Sequence, residues 1–420
     1  MAALALAALL ALACQAGAEA PVMPGIPLRP VMPGTPLRPE GTEGSAPTSG
    51  PTAGPTAPAP DDGDDGGSAT VAAPEPRSAR IRAVSDLMVH GKQLKAALQP
   101  DGSYDFHPQY ALIADSLADA DYTIANLETT IGRQGNRAYS GYPMFNTPEA
   151  LLDTVRDAGV DFLTLANNHI LDRELDGLLS TVENVEAWGF DHAGANRSPE
   201  EQAAPVVVEV NGIRLGMLCY TEMTNGIEKH IRAAREYAVN YLGGADIEGD
   251  VAGLRRAGAE VVVALPHWGA EYHRQPEKRI VALARRMVAA GVDVVLGSHP
   301  HMVQPVRWET VQTQDGGTRT GLVAYSLGNF ISNMLVQYTD SGIILQFTIQ
   351  EKPEGGYAIT SPAIVPVYCW KRDDMIQSIS SLKYYDEPPE GMNSSRYSRL
   401  KESYRELRSL IDDTIPFIAE

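Results

Sequence analysis

Two rhythms of apolar residues alternate along residues 81–350. Short apolar runs bounded by glycine, proline or polar residues read as strands: "IRAVSD" from Ile81, "YTIANLE" from Tyr122, "VDFLTLA" from Val160, "AEVVVALP" from Ala259 and "VDVVLGS" from Val292. Between them apolar positions recur at helical spacing. "TPEALLDTVRDAG" predicts a helix with Thr147 as N-cap, Pro148 in its first turn and Gly159 closing it. A second helix is expected over about residues 172–188 with Asp172 as its N-cap, and a third over "EKRIVALARRMVAAG". Toward the end, "TGLVAYSLGNF" and "SGIILQFTIQ" read as strands with no helix between them. This is an α/β pattern that becomes strand-rich.

Upstream the texture differs. Residues 1–18, "MAALALAALLALACQAGA", form an apolar run too short to span a bilayer and are expected to be a signal or lipoprotein-like leader. It ends either by cleavage after Ala16-Gly17-Ala18 or by lipidation of Cys14, and either implies an exported chain whose only membrane association is through its N-terminus. Residues 19–80 hold the tandem "VMPGIPLRP" and "VMPGTPLRP" and 14 of the chain's 30 prolines. Proline fixes φ and removes donors, so an extended linker is expected. "DDGDDGG" lacks the alternating ligands of a calcium loop and reads as a solvated charge run. The folded domain is expected over residues 81–370, with a helical extension over 371–420.

Composition narrows the partners. A chain of 420 residues with 44% hydrophobic content can bury a full core. Its net charge of -19 and pI near 4.9 exclude nucleic acid and anionic membrane surfaces as natural partners. An anionic substrate would need a locally positive pocket, which bound cations can supply. Beyond Cys14 only Cys219, inside the apolar run "LGMLCY", and Cys369 remain, and this spacing gives neither a disulfide framework nor a zinc-cysteine site.

Polar residues that directly follow the strand-like runs carry the candidate chemistry. They are Asp86, Glu128, Asn168 with His169, His267, and His299 with His301. A lone His-x-His is as well explained by a polar turn. Ligands in open α/β sheets bind at the carboxyl ends of strands, however, and these loops carry only carboxylate, amide and imidazole groups. That mixture suits Mn, Fe or Zn better than Mg alone. Trp268, Tyr272 and His273 read equally as substrate contacts or pocket wall, and His107, His192 and His230 as surface residues. The sequence holds no His-Glu-x-x-His helix, P-loop or Gly-x-Ser-x-Gly elbow, which disfavours zincin, nucleotide-driven and serine-hydrolase chemistry.

The phrases "SDLM", "ANLETTIG", "LTLANNHILD", "HAGAN", "ALPHWGAEYHRQP", "GVDVVLGSHPHMVQ" and "AYSLGNF" follow one another in an order that resembles the calcineurin-like metallophosphoesterases. The closer resemblance is to their bacterial CapA branch, the poly-γ-glutamate capsule synthesis proteins. It implies a four-layer α/β/β/α metallophosphatase-like sandwich holding two divalent transition metals. By the same resemblance Asp86 and His301 would ligate one metal, Glu128 would bridge both, and Asn168, His267 and His299 would complete the second. His169 would act as general acid or stabilise developing charge. Glu271 would ligate or orient a ligand from behind, and Asn329 would line the pocket. Met88 stands where the wider superfamily has a histidine, and a thioether is a poor ligand for a hard cation. His90, two residues on, is not an assumed substitute. The implied role is phosphoesterase-like hydrolysis in capsule polyglutamate synthesis or export. The alternatives are amide hydrolysis or transfer on γ-glutamyl polymer, and a non-catalytic subunit that binds an anionic polymer or a membrane synthase.

Overall fold

Residues whose side chains alternate between two buried environments build two large sheets. The computed structural model describes residues 75–132, 138–230 and 233–419; the expected leader, Cys14 and most of the expected linker lie outside these. The first sheet has the strand order β15 (Ile376–Ser380), β14 (Tyr357–Lys371), β13 (Ser341–Glu351), β1 (Ser78–Leu87), β2 (Tyr122–Leu127), β5 (Phe162–Thr164), β6 (Asp191–Ala193). Strands β1, β2, β5 and β6 are parallel, and β13, β14 and β15 add on antiparallel. The second sheet runs β11 (Val306–Gln312), β12 (Thr318–Ala324), β10 (Val294–Leu296), β9 (Val261–His267), β8 (Ile213–Thr221), β7 (Val206–Val210). Its four central strands are parallel and its two edges antiparallel.

Side-chain alternation divides the core into layers. Ile81, Ala83 and Ile124 of the first sheet meet Leu215, Val261, Val263, Leu265 and Val294 of the second. On the outer face of the first sheet, Val84, Ala125 and Leu163 pack against Leu94, Leu151, Val155, Leu178 and Val182 from the helices Gly91–Ala97, Ala150–Asp157 and Glu174–Ala187. On the outer face of the second, Val262, Ala264 and Val295 meet Val251, Leu254, Ile280, Ala284 and Met287 from the helices Ile247–Arg256 and Lys278–Ala290. The architecture is therefore the expected α/β/β/α sandwich. Strands covered on both faces need no polar side, which is why "VVVALPH" and "YTIANL" are buried throughout.

Two expected N-caps are corrected. Thr147 does not cap a helix: Thr147–Pro148 forms a short strand, β4, paired with β3 (Ile131–Gly132), and the helix begins at Ala150 after Glu149. Proline at 148 disfavours helical geometry for the residue before it, and the Thr147 N–H donates instead to Thr130 O at 2.9 Å. Asp172 caps nothing either, because the next helix starts at Glu174 and the Asp172 carboxylate turns into the protein. Beyond residue 370 the chain contributes β15 and the helix Ser394–Arg408, and Leu407, Ile411 and Ile415 enter the core between the sheets. Among the described residues no helix is long and apolar enough to cross a membrane.

Candidate metal centre

The carboxyl ends of β1, β2 and β5 from one sheet and of β9, β10 and β12 from the other come together. They bring Asp86, Glu128, Asn168, His169, His267, His299, His301 and Asn329 into one buried cluster. The backbone is bent to achieve this. Pairing between β1 and β2 shifts register between Val84 and Leu87, re-aiming Asp86. Asp86 (φ 47°), His299 (φ 96°) and His301 (φ 56°) all adopt the left-handed region that side chains seldom occupy. Gly297 makes the bend into "SHPH" feasible: a Cβ there would lie 2.1 Å from Tyr325 O and 2.7 Å from Trp268 Nε1.

Two sets of ligand-type atoms share one carboxylate. One set is Glu128, His267 and His299; the other is Asp86, Glu128 and His301. Within each set one donor atom per residue lies within 4.8 Å of the others. His267 Nε2 is 3.0 Å from Asn168 Oδ1 and 3.1 Å from His299 Nδ1. Glu128 Oε1 is 3.7 Å from His267 Nε2 and 3.8 Å from His301 Nε2. That oxygen is fully buried and, among the described residues, has no hydrogen-bond partner. An orphaned carboxylate oxygen costs on the order of 1–3 kcal/mol, more when charged, unless something compensates it. A divalent cation bound by imidazole, amide and carboxylate would satisfy it, so the donor set fits one.

The ring nitrogens are presented accordingly. His267 Nδ1 is 2.8 Å from Ser298 Oγ, whose hydroxyl also lies 3.4 Å from Pro266 O, and Nε2 faces the cluster. Asn329 donates its amide to Thr339 O at 2.9 Å, which turns its Oδ1 toward His301 Nδ1 at 3.1 Å. Asp86 Oδ2 also sits 3.1 Å from that nitrogen, so His301 carries its proton on Nδ1 and offers Nε2. Asn126 holds the carboxylates apart, with Nδ2 3.0 Å from Asp86 Oδ1 and 3.4 Å from Glu128 Oε2.

Electrostatics separate the two acids. Burial pushes Asp86 upward, but hydrogen bonds from His301 and Ser85 outweigh it and hold the carboxyl well below the usual range. Burial, reinforced by the neighbouring Asp86 charge, pushes Glu128 well above it. Burial and the other imidazoles hold His267 well below its ordinary value, and bring His299 down to about 4. His301 is raised because its bond to Asp86 overcomes burial. A bound cation would stabilise the paired carboxylates in their charged form and engage neutral imidazoles.

His169 lies beside this cluster. Its Nδ1 is 2.7 Å from Asp172 Oδ2, which also accepts the Phe145 N–H at 2.7 Å. The Phe145 ring packs edge-on at 4.7 Å from the His169 ring. The loop is fixed by Asn167, which accepts the His169 N–H and donates to Leu127 O. Glu271 sits on the turn after β9, exposed, where its charge raises His299 and His301, and among the described residues it makes no hydrogen bond to a member of the cluster. Tyr272 is exposed with its ring 6.1 Å from that of His301. His273 is exposed, whereas Trp268 is fully buried and donates to Tyr325 O. Met88 is buried. His90 lies outside both ligand sets. Asn126 and Asp172 are the residues whose roles sequence reasoning missed. The available signals were spacing: Asn126 is two residues before Glu128, and Asp172 is three after His169.

The family model described as bacterial capsule synthesis protein PGA_cap matches residues 80–334. The chain belongs to this family. All nine residues named as site candidates fall inside the PGA_cap segment. Similar curated proteins include the capsule biosynthesis protein CapA of Bacillus anthracis, 27% identical over 64% of this chain and 63% of that one. The PGA biosynthesis protein CapA of Bacillus subtilis (strain 168) is 26% identical over 57% of this chain and 61% of that one. The PGA_cap chain thus spans less than two thirds of either relative's length. Among solved structures, the NAD nucleotidase of Haemophilus influenzae aligns over 81% of this chain and 65% of its own, with 11% identity and a TM-score of 0.43.

Proposed function

We propose that this PGA_cap protein is an exported, metal-dependent hydrolase of capsule poly-γ-glutamate synthesis or export, acting on a phosphoester or a γ-glutamyl amide. The observation that carries the reading is Glu128 Oε1, unpartnered among the described residues and shared between two buried imidazole–carboxylate sets. Asp86 and His301 would hold one cation, Asn168, His267 and His299 a second, and Glu128 both; the ligand mixture favours Mn, Fe or Zn. Bound divalent cations supply Lewis acidity, acidifying water and offsetting negative charge on a tetrahedral centre.

The chain's own groups do the rest. Asp172 keeps the Nδ1 proton of His169 in place, so Nε2 is the atom that takes up or delivers a proton at the leaving group. Asn126 and Asn329 fix the carboxylates and His301 before substrate arrives, so little reorganisation is left for the reaction. The relatives named for capsule and PGA biosynthesis support a capsule polymer as substrate class, and a membrane synthase is the partner proposed with it. In a chain of net charge -19, cations at this site would supply the local positive potential such a polymer needs.

Elemental analysis of gently purified protein, followed by assays of an activated phosphodiester and a γ-glutamyl amide at matched loading, tests the reading. Transition metal bound with turnover of either substrate is expected. No transition metal after reconstitution would overturn the hydrolase and leave a polymer-binding subunit.

A further inference from the structure

Among the described residues six large hydrophobic side chains are exposed: Leu98, Tyr142, Met223, Tyr272, Leu335 and Val336. Five of them stand on segments that contact the metal-ligand cluster. Met223 lies between Glu222, whose N–H donates to His267 O at 3.0 Å, and Asn225, whose Oδ1 accepts from the Asn168 amide at 3.4 Å. Leu335 and Val336 follow Met334, whose sulfur is 3.5 Å from the Asn329 amide nitrogen. The Tyr142 ring lies 6.5 Å from that of Phe145, which packs 4.7 Å from His169. Tyr272 meets a ligand side chain itself, with its ring 6.1 Å from that of His301. Single exposed apolar side chains need no explanation, but a set gathered about one site does.

The backbone aims Tyr272 at this place. Its φ of 64° is left-handed, a conformation that a bulky residue seldom adopts. Its N–H is tied to Pro300 O at 2.9 Å, inside the bend that carries His299 and His301. The hydroxyl bonds to Glu271, and burial together with the Glu271 charge keeps the phenol neutral, so the ring face is what the side chain has left to offer. Tyr142 acts electrostatically on the same hydroxyl, which sets the two tyrosines near one another. The Glu271 charge beside them would repel a substituent that is itself anionic. Resting on the metal-dependent reading above, we propose that Tyr272, assisted by Tyr142, is a specificity-determining residue that selects a substrate whose reactive group carries an uncharged alkyl or aryl substituent. In a γ-glutamyl amide the methylenes next to the carbonyl are such a substituent; in a phosphoester it is the ester's own carbon group. The rings shield that substituent from water while the polar group meets the buried ligands.

The test uses the full chain loaded with Mn and two probes, methylphosphonate and phenylphosphonate, which share a head group and differ in the apolar substituent. Calorimetric affinities would be measured for wild type, Tyr272→Phe, Tyr272→Ala and Tyr142→Ala, with metal content and Tm measured beside them. In wild type phenylphosphonate is expected to bind on the order of 10-fold tighter, the scale of one aromatic pair. Tyr272→Phe should keep that ratio. Tyr272→Ala should lose most of it and Tyr142→Ala part of it, with metal content and methylphosphonate affinity unchanged. Damage to the site would weaken both probes alike, so the ratio reads the ring contact and not a structural role. Equal affinity for the two probes in wild type, or an undiminished ratio in Tyr272→Ala, would overturn the proposal alone. A Mn-loaded wild type that binds neither probe would overturn the hydrolase reading and this proposal with it.

Discussion

The Asp172 carboxylate accepts the Nδ1 proton of His169 across 2.7 Å, and both side chains are buried. In Asp172→Asn an amide oxygen in place of Oδ2 can still accept both N–H groups, but being neutral it no longer offsets the charge that His169 gains on taking up a proton. Turnover of the activated phosphodiester or γ-glutamyl amide should fall about 10²–10⁴-fold, the usual contribution of a positioned acid–base group. His169→Ala should fall comparably with metal content unchanged. Steady-state rates at matched metal loading check both, and an unchanged rate in either variant removes the pair from the mechanism.

Glu128→Gln replaces a shared anion with a neutral amide. The variant is expected to fold and to lose at least one equivalent of metal, read by elemental analysis beside a thermal melt. Full stoichiometry would show that Glu128 does not bridge.

Asn126 has no ligand role, yet its amide reaches toward Asp86, Glu128 and, at 3.5 Å, His267 Nδ1. Asn126→Ala should weaken metal affinity about 10- to 100-fold, as loss of groups that orient ligands does elsewhere. A chelator-competition titration measures it.

Acid sensitivity is expected far from the centre, at Glu309. Burial raises this carboxyl, but bonds from Tyr325 (2.8 Å), Arg307 (2.7 Å) and Arg285 (2.6 Å) outweigh it and set it below its ordinary value. A carboxyl lowered on folding adds stability above its unfolded pKa of about 4.3, and that stability is lost as pH falls through the folded value. Glu309→Gln should therefore be less stable than wild type by about 1.5–3 kcal/mol at pH 7, with the gap closing below about pH 4. Denaturant unfolding at several pH values would record it.

What could be read from sequence follows from which interactions are periodic. The strands, the helix closed by Gly291 and the ligand-type residues at strand ends were legible, because apolar alternation and the carboxyl-end rule are local patterns. Asp172 was misread, since an Asp ahead of a helix looks like a cap until the fold brings Phe145 and His169 to it. Thr147 failed similarly: β4 exists only because β3, distant along the chain, lies beside it. Asn126 gave no signal apart from standing two residues before Glu128, because an amide between two acids acquires meaning only when β1 and β2 pair and bring Asp86 beside it.

Strand β13 lies next to β1, pairing from Ser78–Gln350 to Ala83–Leu345, and β1 carries Asp86. The family match ends at residue 334, before β13 begins. The segment that the family model matches thus leaves out the strand that pairs with β1. A chain stopped at 334 would keep all nine candidate residues but leave the strand that aims Asp86 as a bare hydrophobic edge, inviting pairing with another copy. In the full chain β13 occupies that edge, so the backbone groups of β1 are paired within one molecule.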